Sequence, residues 1–275
     1  MRPDWLAACR RAATAVGEML AAAPTTAERL EETGERGEGG DRTLVIDSRA
    51  EALVFAELER LHRDEGARFT ALSEERGSVD FGSDATMVVI DPIDGSLNAK
   101  RLLPHHALSV AVAEGATMAD VFFGFVRDFG PGEEWYAVRA EGAFVDGRRL
   151  ATDVEERRGR NGKLEILGIE SADPRWVRDA ADDLADAAHR VRALGTLAVT
   201  MCQVAAARMD AMASIRACRA VDVAAAQLIV RESGGVAAFP AYADALEAPL
   251  DNEPHSPVIA ARTPRGLEAL RGIPL

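Results

Sequence analysis

Lysine is nearly missing from this chain. Lys100 and Lys163 are the only two, and arginine supplies the rest of the 32 basic residues, which face 45 acidic ones for a net charge of −13. A surface this acidic repels phosphodiester backbones and anionic lipid, so nucleic acid and membrane are both excluded as partners. No run of 18 apolar residues occurs, which excludes a bilayer-spanning helix. The first twenty residues mix Asp4 with Arg10 and Arg11 and lack the order of a signal peptide. Three cysteines (Cys9, Cys202, Cys218) are odd in number and show no metal-ligand spacing, so no zinc site is expected and a reducing cytoplasm fits. No Gly-x-Ser-x-Gly occurs, and Cys202 sits among apolar neighbours, which argues against a covalent nucleophile.

What is present is a substantial core. Of the 275 residues 48% are hydrophobic, enough for one large or two small domains. Apolar positions recur at helical period over residues 4–23 and Ser48–Leu61. Between them Thr33–Asp41 is glycine-rich and charged, and reads as a mobile loop. Strands are expected at Arg68–Leu72, Thr86–Ile90, Ala107–Glu114, Ala119–Arg127, Glu134–Val138 and Gly142–Val145, with Asp146-Gly147 as a hairpin turn. The polar stretch Thr152–Lys163 is the expected boundary, dividing an α+β domain (1–155) from an α/β domain (156–275). Beyond it, helices are expected over Pro174–Ala188, over Thr196–Met209 and from Asp222 to Gly234-Gly235, with strands at Leu164–Ile169, Arg190–Leu194, Ala211–Ile215 and Val258–Ala261.

The segment Met87–Lys100 (MVVIDPIDGSLNAK) carries the chemistry. An apolar strand delivers Asp91, Pro92 stiffens the exit, and Asp94 follows just before Gly95. Two carboxylates on one tight turn can hold a hard cation, and the Ile93 carbonyl can add a third oxygen. Gly95 and Ser96 offer free N–H groups at a helix start, an anion site. Taken alone, the turn fits a solvated Asp-Pro corner equally well. Glu74 and Glu75 after a strand and Asp222 ahead of an apolar helix are each weak signals by themselves, since Asp is also a favoured N-cap. Adjacent His105 and His106 point to opposite faces of an extended segment and cannot both line one site.

Together these segments resemble the inositol monophosphatase superfamily, most of all its archaeal-type enzymes with both fructose-1,6-bisphosphatase and inositol monophosphatase activity. The resemblance rests on GGDRTLVIDSRAE, LSEERG, DPIDGSLNAK, FFGFV through GAFVDGRRL, and VDVAAAQLIVRESGG. It implies a layered α-β-α-β-α sandwich and a Mg²⁺-dependent phosphomonoesterase using two or three ions, with Mn²⁺ as a substitute. Glu74, Asp91, the Ile93 carbonyl and Asp94 would hold the first two metals, Asp222 would join the second, and Asp47 a weaker third. Glu74, Ser96 and Asp47 would be the catalytic residues, Ser96 positioning the attacking water. Asp94, Gly95, Ser96, Gly195 and Thr196 would line the substrate site, with Arg192 and Arg216 on the sugar side.

The expected ligand is a small phosphorylated sugar or polyol and the expected assembly a homodimer. The alternatives are a 3′(2′),5′-bisphosphate nucleotidase, against which stands the lack of an aromatic cluster near these residues to stack a base, a histidinol phosphatase, and a non-catalytic metal- or sugar-phosphate-binding protein. The chain departs from the family pattern at Arg36 (often lysine), at Ala99 (often aromatic), over Leu102–His106 and at Val221 (often Trp).

Overall fold

The computed structural model describes residues 3–36, 42–83 and 85–273. Helices α1 (Trp5–Ala21), α2 (Thr26–Arg29) and α3 (Val45–Glu65) come first, with strands β1 (Glu32–Arg36) and β2 (Arg42–Leu44) pairing antiparallel between α2 and α3. The start of the glycine-rich segment expected as a loop is thus a strand, and its remainder, residues 37–41, lies outside the described residues. So does the side chain of Arg36.

An eight-stranded sheet follows from β3 (Thr70–Ser73), β4 (Gly77–Asp80), β5 (Met87–Asp94), β6 (Ala107–Ala113), β7 (Val121–Asp128), β8 (Glu134–Val138), β9 (Gly142–Val145) and β10 (Arg148–Arg149). Helix α4 (Ser96–Arg101) lies between β5 and β6. A five-stranded sheet contains β11 (Leu167–Glu170), β12 (Val191–Arg192), β13 (Ala211–Ser214), β14 (Val236–Ala238) and β15 (Ile259–Ala261). Its helices are α5 (Pro174–Asp179), α6 (Ala181–Ala187), α7 (Leu197–Ala205), α8 (Ala220–Glu232) and α9 (Pro264–Glu268).

Side-chain alternation builds the layers. On β5, Val88 and Ile90 face a core with Val16, Leu20, Val54 and Phe55 of α1 and α3. Val89 faces the other way, into a core with α7 and α8. That is the period of two a strand imposes. Met212 and Ala260 of the smaller sheet close the second core, while Leu167, Ile169 and Ala213 on its far face pack with Leu184 and Leu270. The order is helix, sheet, helix, sheet, helix, the sandwich expected above.

Helix α8 is buried all round because it lies between two sheets. Its approach to β7 leaves no room for a side chain at Gly124, where a Cβ would come within 2.5 Å of the Ala225 carbonyl. The Asp146-Gly147 turn joins β9 to β10 with φ of 48° and 73°, as a type I′ turn requires. The expected helix over Pro174–Ala188 is two short ones meeting at Ala180, and β14 was not anticipated. Among the described residues no helix is long and apolar enough to cross a membrane.

Candidate active site

Strands β3 and β5 run parallel with Ser73 opposite Ile90. The next residues, Glu74 just past the end of β3 and Asp91 still within β5, therefore lie side by side on neighbouring parallel strands. Pairing of β5 with β6 shifts between Asp91 and Asp94, where one extra residue bulges out. Pro92 has no N–H to lose from the ladder there. The bulge lets Asp91 Oδ1 accept the Ile93 N–H at 2.9 Å. Gly95 then turns the chain with φ +85° into α4, and a Cβ on it would meet the Gly195 and His105 carbonyl oxygens at 3.0 and 3.1 Å.

The third element is α8. Sequence patterning starts this helix at Asp222, but its first residue is Ala220, which puts Asp222 inside the first turn. Asp222 Oδ2 accepts the Arg219 backbone N–H at 3.0 Å, satisfying one donor at the helix start. The Arg219 guanidinium reaches across the site, with Nη1 at 2.8 Å from Glu74 Oε1 and Nη2 at 3.1 Å from Asp222 Oδ1. Nothing in the sequence pattern singled out Arg219; its only signal is its place three residues before a first-turn acid.

Electrostatics follow from this crowding. Burial, then the neighbouring Glu74, Asp94 and Asp222, hold the Asp91 carboxyl well above the usual range. Asp94 is pushed up to about 8, mainly by burial, although hydrogen bonds from Thr196 and Ala198 pull the other way. Glu74 is raised by burial, with Arg219 opposing and Asp222 adding to the shift. Burial works against the charge on Arg219, yet Asp222, Glu74 and Asp91 outweigh it and raise its pKa.

Among the described residues no three His, Cys, Asp or Glu side chains are arranged to hold one metal ion. The side-chain bonds explain why: Glu74 and Asp222 are turned toward Arg219, and Asp94 Oδ2 is turned toward α7. The donor set nevertheless fits a hard cation. It is all carboxylate oxygen, fixed at strand ends and a helix start, with one arginine between Glu74 and Asp222.

The opposite wall comes from the smaller sheet. Asp94 Oδ2 accepts the Thr196 hydroxyl and, at 2.8 Å, the Ala198 N–H, so it caps α7 together with Thr196. Glu170, at the end of β11, accepts the Leu194 N–H at 3.0 Å and the Thr200 hydroxyl at 2.6 Å on Oε1, and the Gly195 N–H at 3.1 Å on Oε2. Burial lifts it to about 7 despite these bonds. Asn98 donates to His105 O at 2.9 Å and Leu194 O at 2.6 Å, tying the α4 segment to this wall. Sequence reasoning missed Glu170 and Asn98, each of which bonds the Leu194–Gly195 backbone far along the chain.

Between the walls lies a hollow of about 530 Å³ lined by Asp94, Asn98, Glu170, Trp176, Gly195 and Thr196. Trp176 is one aromatic at this hollow, not a cluster; the Arg216 guanidinium lies 5.1 Å from its ring centroid. Arg192 instead lines a second hollow of about 360 Å³ with His105, Glu133 and Arg208. Ser96 begins α4, and Asp47 lies in the first turn of α3. His105 Nδ1 pairs with buried Asp128 at 2.8 Å. All three cysteines are buried, and burial pushes the Cys202 thiol far up, which leaves it inert.

The model of the inositol monophosphatase family matches residues 2–270. The chain belongs to that family. It is 34% identical over 220 residues to a fructose-1,6-bisphosphatase/inositol-1-monophosphatase of Methanothermobacter thermautotrophicus, covering 75% of each chain. It is 30% identical to a Nus factor SuhB of Pasteurella multocida, covering 82% of this chain and 81% of that protein. Its fold is similar to that of the extragenic suppressor protein suhB of Bartonella henselae, with a TM-score of 0.77, 23% identity and coverage of 98% and 97%. An IMPase of Thermotoga maritima gives a TM-score of 0.72 at 23% identity, again with coverage of 98% and 97%. The family match and the Methanothermobacter relative support a phosphatase.

Proposed function

We propose that this inositol monophosphatase family member is a Mg²⁺-dependent phosphomonoesterase that cleaves fructose 1,6-bisphosphate and inositol 1-phosphate. The observation that carries the reading is the meeting of Glu74, Asp91, Asp94 and Asp222 at one site, with Asp94 also lining an open hollow. Once these carboxyls ionise they repel a phosphate dianion unless cations reverse the local sign. Glu74, Asp91, the Ile93 carbonyl, Asp94 and Asp222 are the residues to hold two ions, and Asp47 a third. When bound, Mg²⁺ supplies charge against the phosphate oxygens and acidifies water.

The chain's own groups do the positioning. The Gly95 and Ser96 amides grip phosphate oxygens, and the Ser96 hydroxyl with Glu74 orients the water that attacks phosphorus in line. The P–O bond to the sugar breaks, giving alcohol and inorganic phosphate. Asn98 and Glu170 fix the Leu194–Thr196 segment against which the sugar rests. Arg216, laid on Trp176, is the group for a distal anion or hydroxyls, because a guanidinium held on a ring keeps its fork aimed. Arg192, lining a separate hollow, is the weaker of the two arginine candidates.

A single tryptophan with Arg216 over its ring does not make a slot for a base, which disfavours the nucleotidase alternative. Other relatives carry the name Nus factor SuhB, and the second reading is a non-catalytic metal- or sugar-phosphate-binding protein, which predicts no phosphate release in any condition. Phosphate release from fructose 1,6-bisphosphate, inositol 1-phosphate and adenosine 3′,5′-bisphosphate, with and without Mg²⁺, separates these. The first two are expected to be cleaved at rates within about two orders of magnitude, about 3 kcal/mol in barrier. A strong preference for the adenosine compound would move the chain to the nucleotidase reading.

A further inference from the structure

Arg219 joins two elements at the site. One arm of its fork is on Glu74 Oε1 at 2.8 Å, at the end of β3, and the other on Asp222 Oδ1 at 3.1 Å, in the first turn of α8. The side chain is 23% exposed, and Asp222, Glu74 and Asp91 surround it with negative charge. It is the group that neutralises these acids when the protein stands alone. A divalent cation on the same carboxyls would need the same oxygens at bonding distance, and it would repel the guanidinium.

We infer that Arg219 is the resident counter-ion of the cation-free site and is displaced when Mg²⁺ binds, Glu74 Oε1 and Asp222 Oδ1 being exchanged between the two. This rests on the reading of Glu74 and Asp222 as metal ligands. It gives the fold a way to form without metal, because the fork holds Glu74, just past β3, to Asp222 of α8, two acids that would otherwise face each other without a counter-ion. It also sets the metal affinity, since each binding event must first break two charge-assisted hydrogen bonds. The arginine therefore acts through the acids it releases, as a positioning residue.

The test is calorimetric titration of MgCl₂ into metal-stripped wild type, Arg219→Gln and Arg219→Lys, together with thermal unfolding of each with EDTA and at saturating Mg²⁺. Arg219→Gln should bind Mg²⁺ at least about tenfold more tightly, which is about 1.4 kcal/mol. It should unfold at lower temperature in EDTA and recover with Mg²⁺. Arg219→Lys, which keeps the charge but loses the fork, should fall between them. A glutamine variant that folds only with Mg²⁺ present is also a supporting result; should it fail to fold in either condition, the lysine variant carries the comparison. A purely structural arginine would lower the unfolding temperature equally in both conditions and leave the affinity where it was, which overturns the inference. Wild type that binds Mg²⁺, with binding lost in Asp91→Asn, keeps the metal reading in that event. If wild type and both Arg219 variants bind no Mg²⁺, the metal reading falls too.

Discussion

Replacing Asp94 by asparagine should make the metal-free protein more stable, by an amount that grows with pH. The carboxyl is buried and pushed up to about 8 from 3.8. Below pH 3.8 it is neutral in both folded and unfolded chains and has no effect. Between 3.8 and about 8 the unfolded chain has released its proton while the folded one still holds it, so stability falls as pH rises, by about 1.4 kcal/mol per unit. Above about 8 both states are ionised and the slope ends.

Asparagine removes this penalty without losing the local bonds. The Thr196 hydroxyl and the Ala198 N–H both donate to the single oxygen Oδ2, and an amide oxygen can take its place. Because Glu74 and Asp91 are also raised and titrate with Asp94, the gain belongs partly to the cluster, and the stability gap should widen by about 2 to 4 kcal/mol between pH 5 and 8. Urea unfolding in EDTA at several pH values measures it. Saturating Mg²⁺ should flatten the wild-type slope. A gap that stays constant with pH, or a variant less stable throughout, would refute the assignment of burial as the dominant effect on Asp94.

Three further outcomes are expected. Glu170→Gln should flatten the part of the stability curve between pH 4.5 and about 7, where folded Glu170 keeps its proton and the unfolded chain does not, raising stability at pH 8 by about 2 to 3 kcal/mol; an unchanged slope in denaturant titrations contradicts it. Gly95→Ala should lower stability by about 1 to 3 kcal/mol, because φ is +85° and the added Cβ would press on the Gly195 and His105 carbonyls; an unchanged melting temperature would show that the turn relaxes freely. Arg216→Ala and Trp176→Ala should both lower kcat/KM for fructose 1,6-bisphosphate about tenfold more than for inositol 1-phosphate, through loss of one aimed charged hydrogen bond; equal losses on both substrates would remove the distal role.

The elements that carry local signals were legible in the sequence. The apolar run leading to Asp91 predicts a buried strand, and it lies between β3 and β6. The Asp146-Gly147 turn needs only its own two residues. The sandwich itself was legible through the family resemblance, which residue patterning alone does not supply. What escaped depends on distant partners. The strand to Asp91 runs on to Asp94 because a bulge keeps it paired with β6, and no local pattern announces that. Helix α8 starts two residues before Asp222 because Arg219 and Asp222 close its first turn. Glu170 reads as the ordinary end of a strand until the Leu194–Gly195 backbone, contributed from another element, is folded onto it. Trp176 falls within the single helix expected over Pro174–Ala188, and the break at Ala180 gives it a short helix of its own at the hollow.

Phosphate release from fructose 1,6-bisphosphate by wild type and Asp91→Asn, each in Mg²⁺ and in EDTA, tests the central claim most directly. Asp91 is the most crowded of the carboxyls, and asparagine keeps its size and the Ile93 N–H bond while removing the charge. Release by wild type in Mg²⁺ alone, with the variant folded and inactive in both conditions, is the predicted result. Turnover that persists in EDTA, or that survives in Asp91→Asn at saturating Mg²⁺, would contradict it.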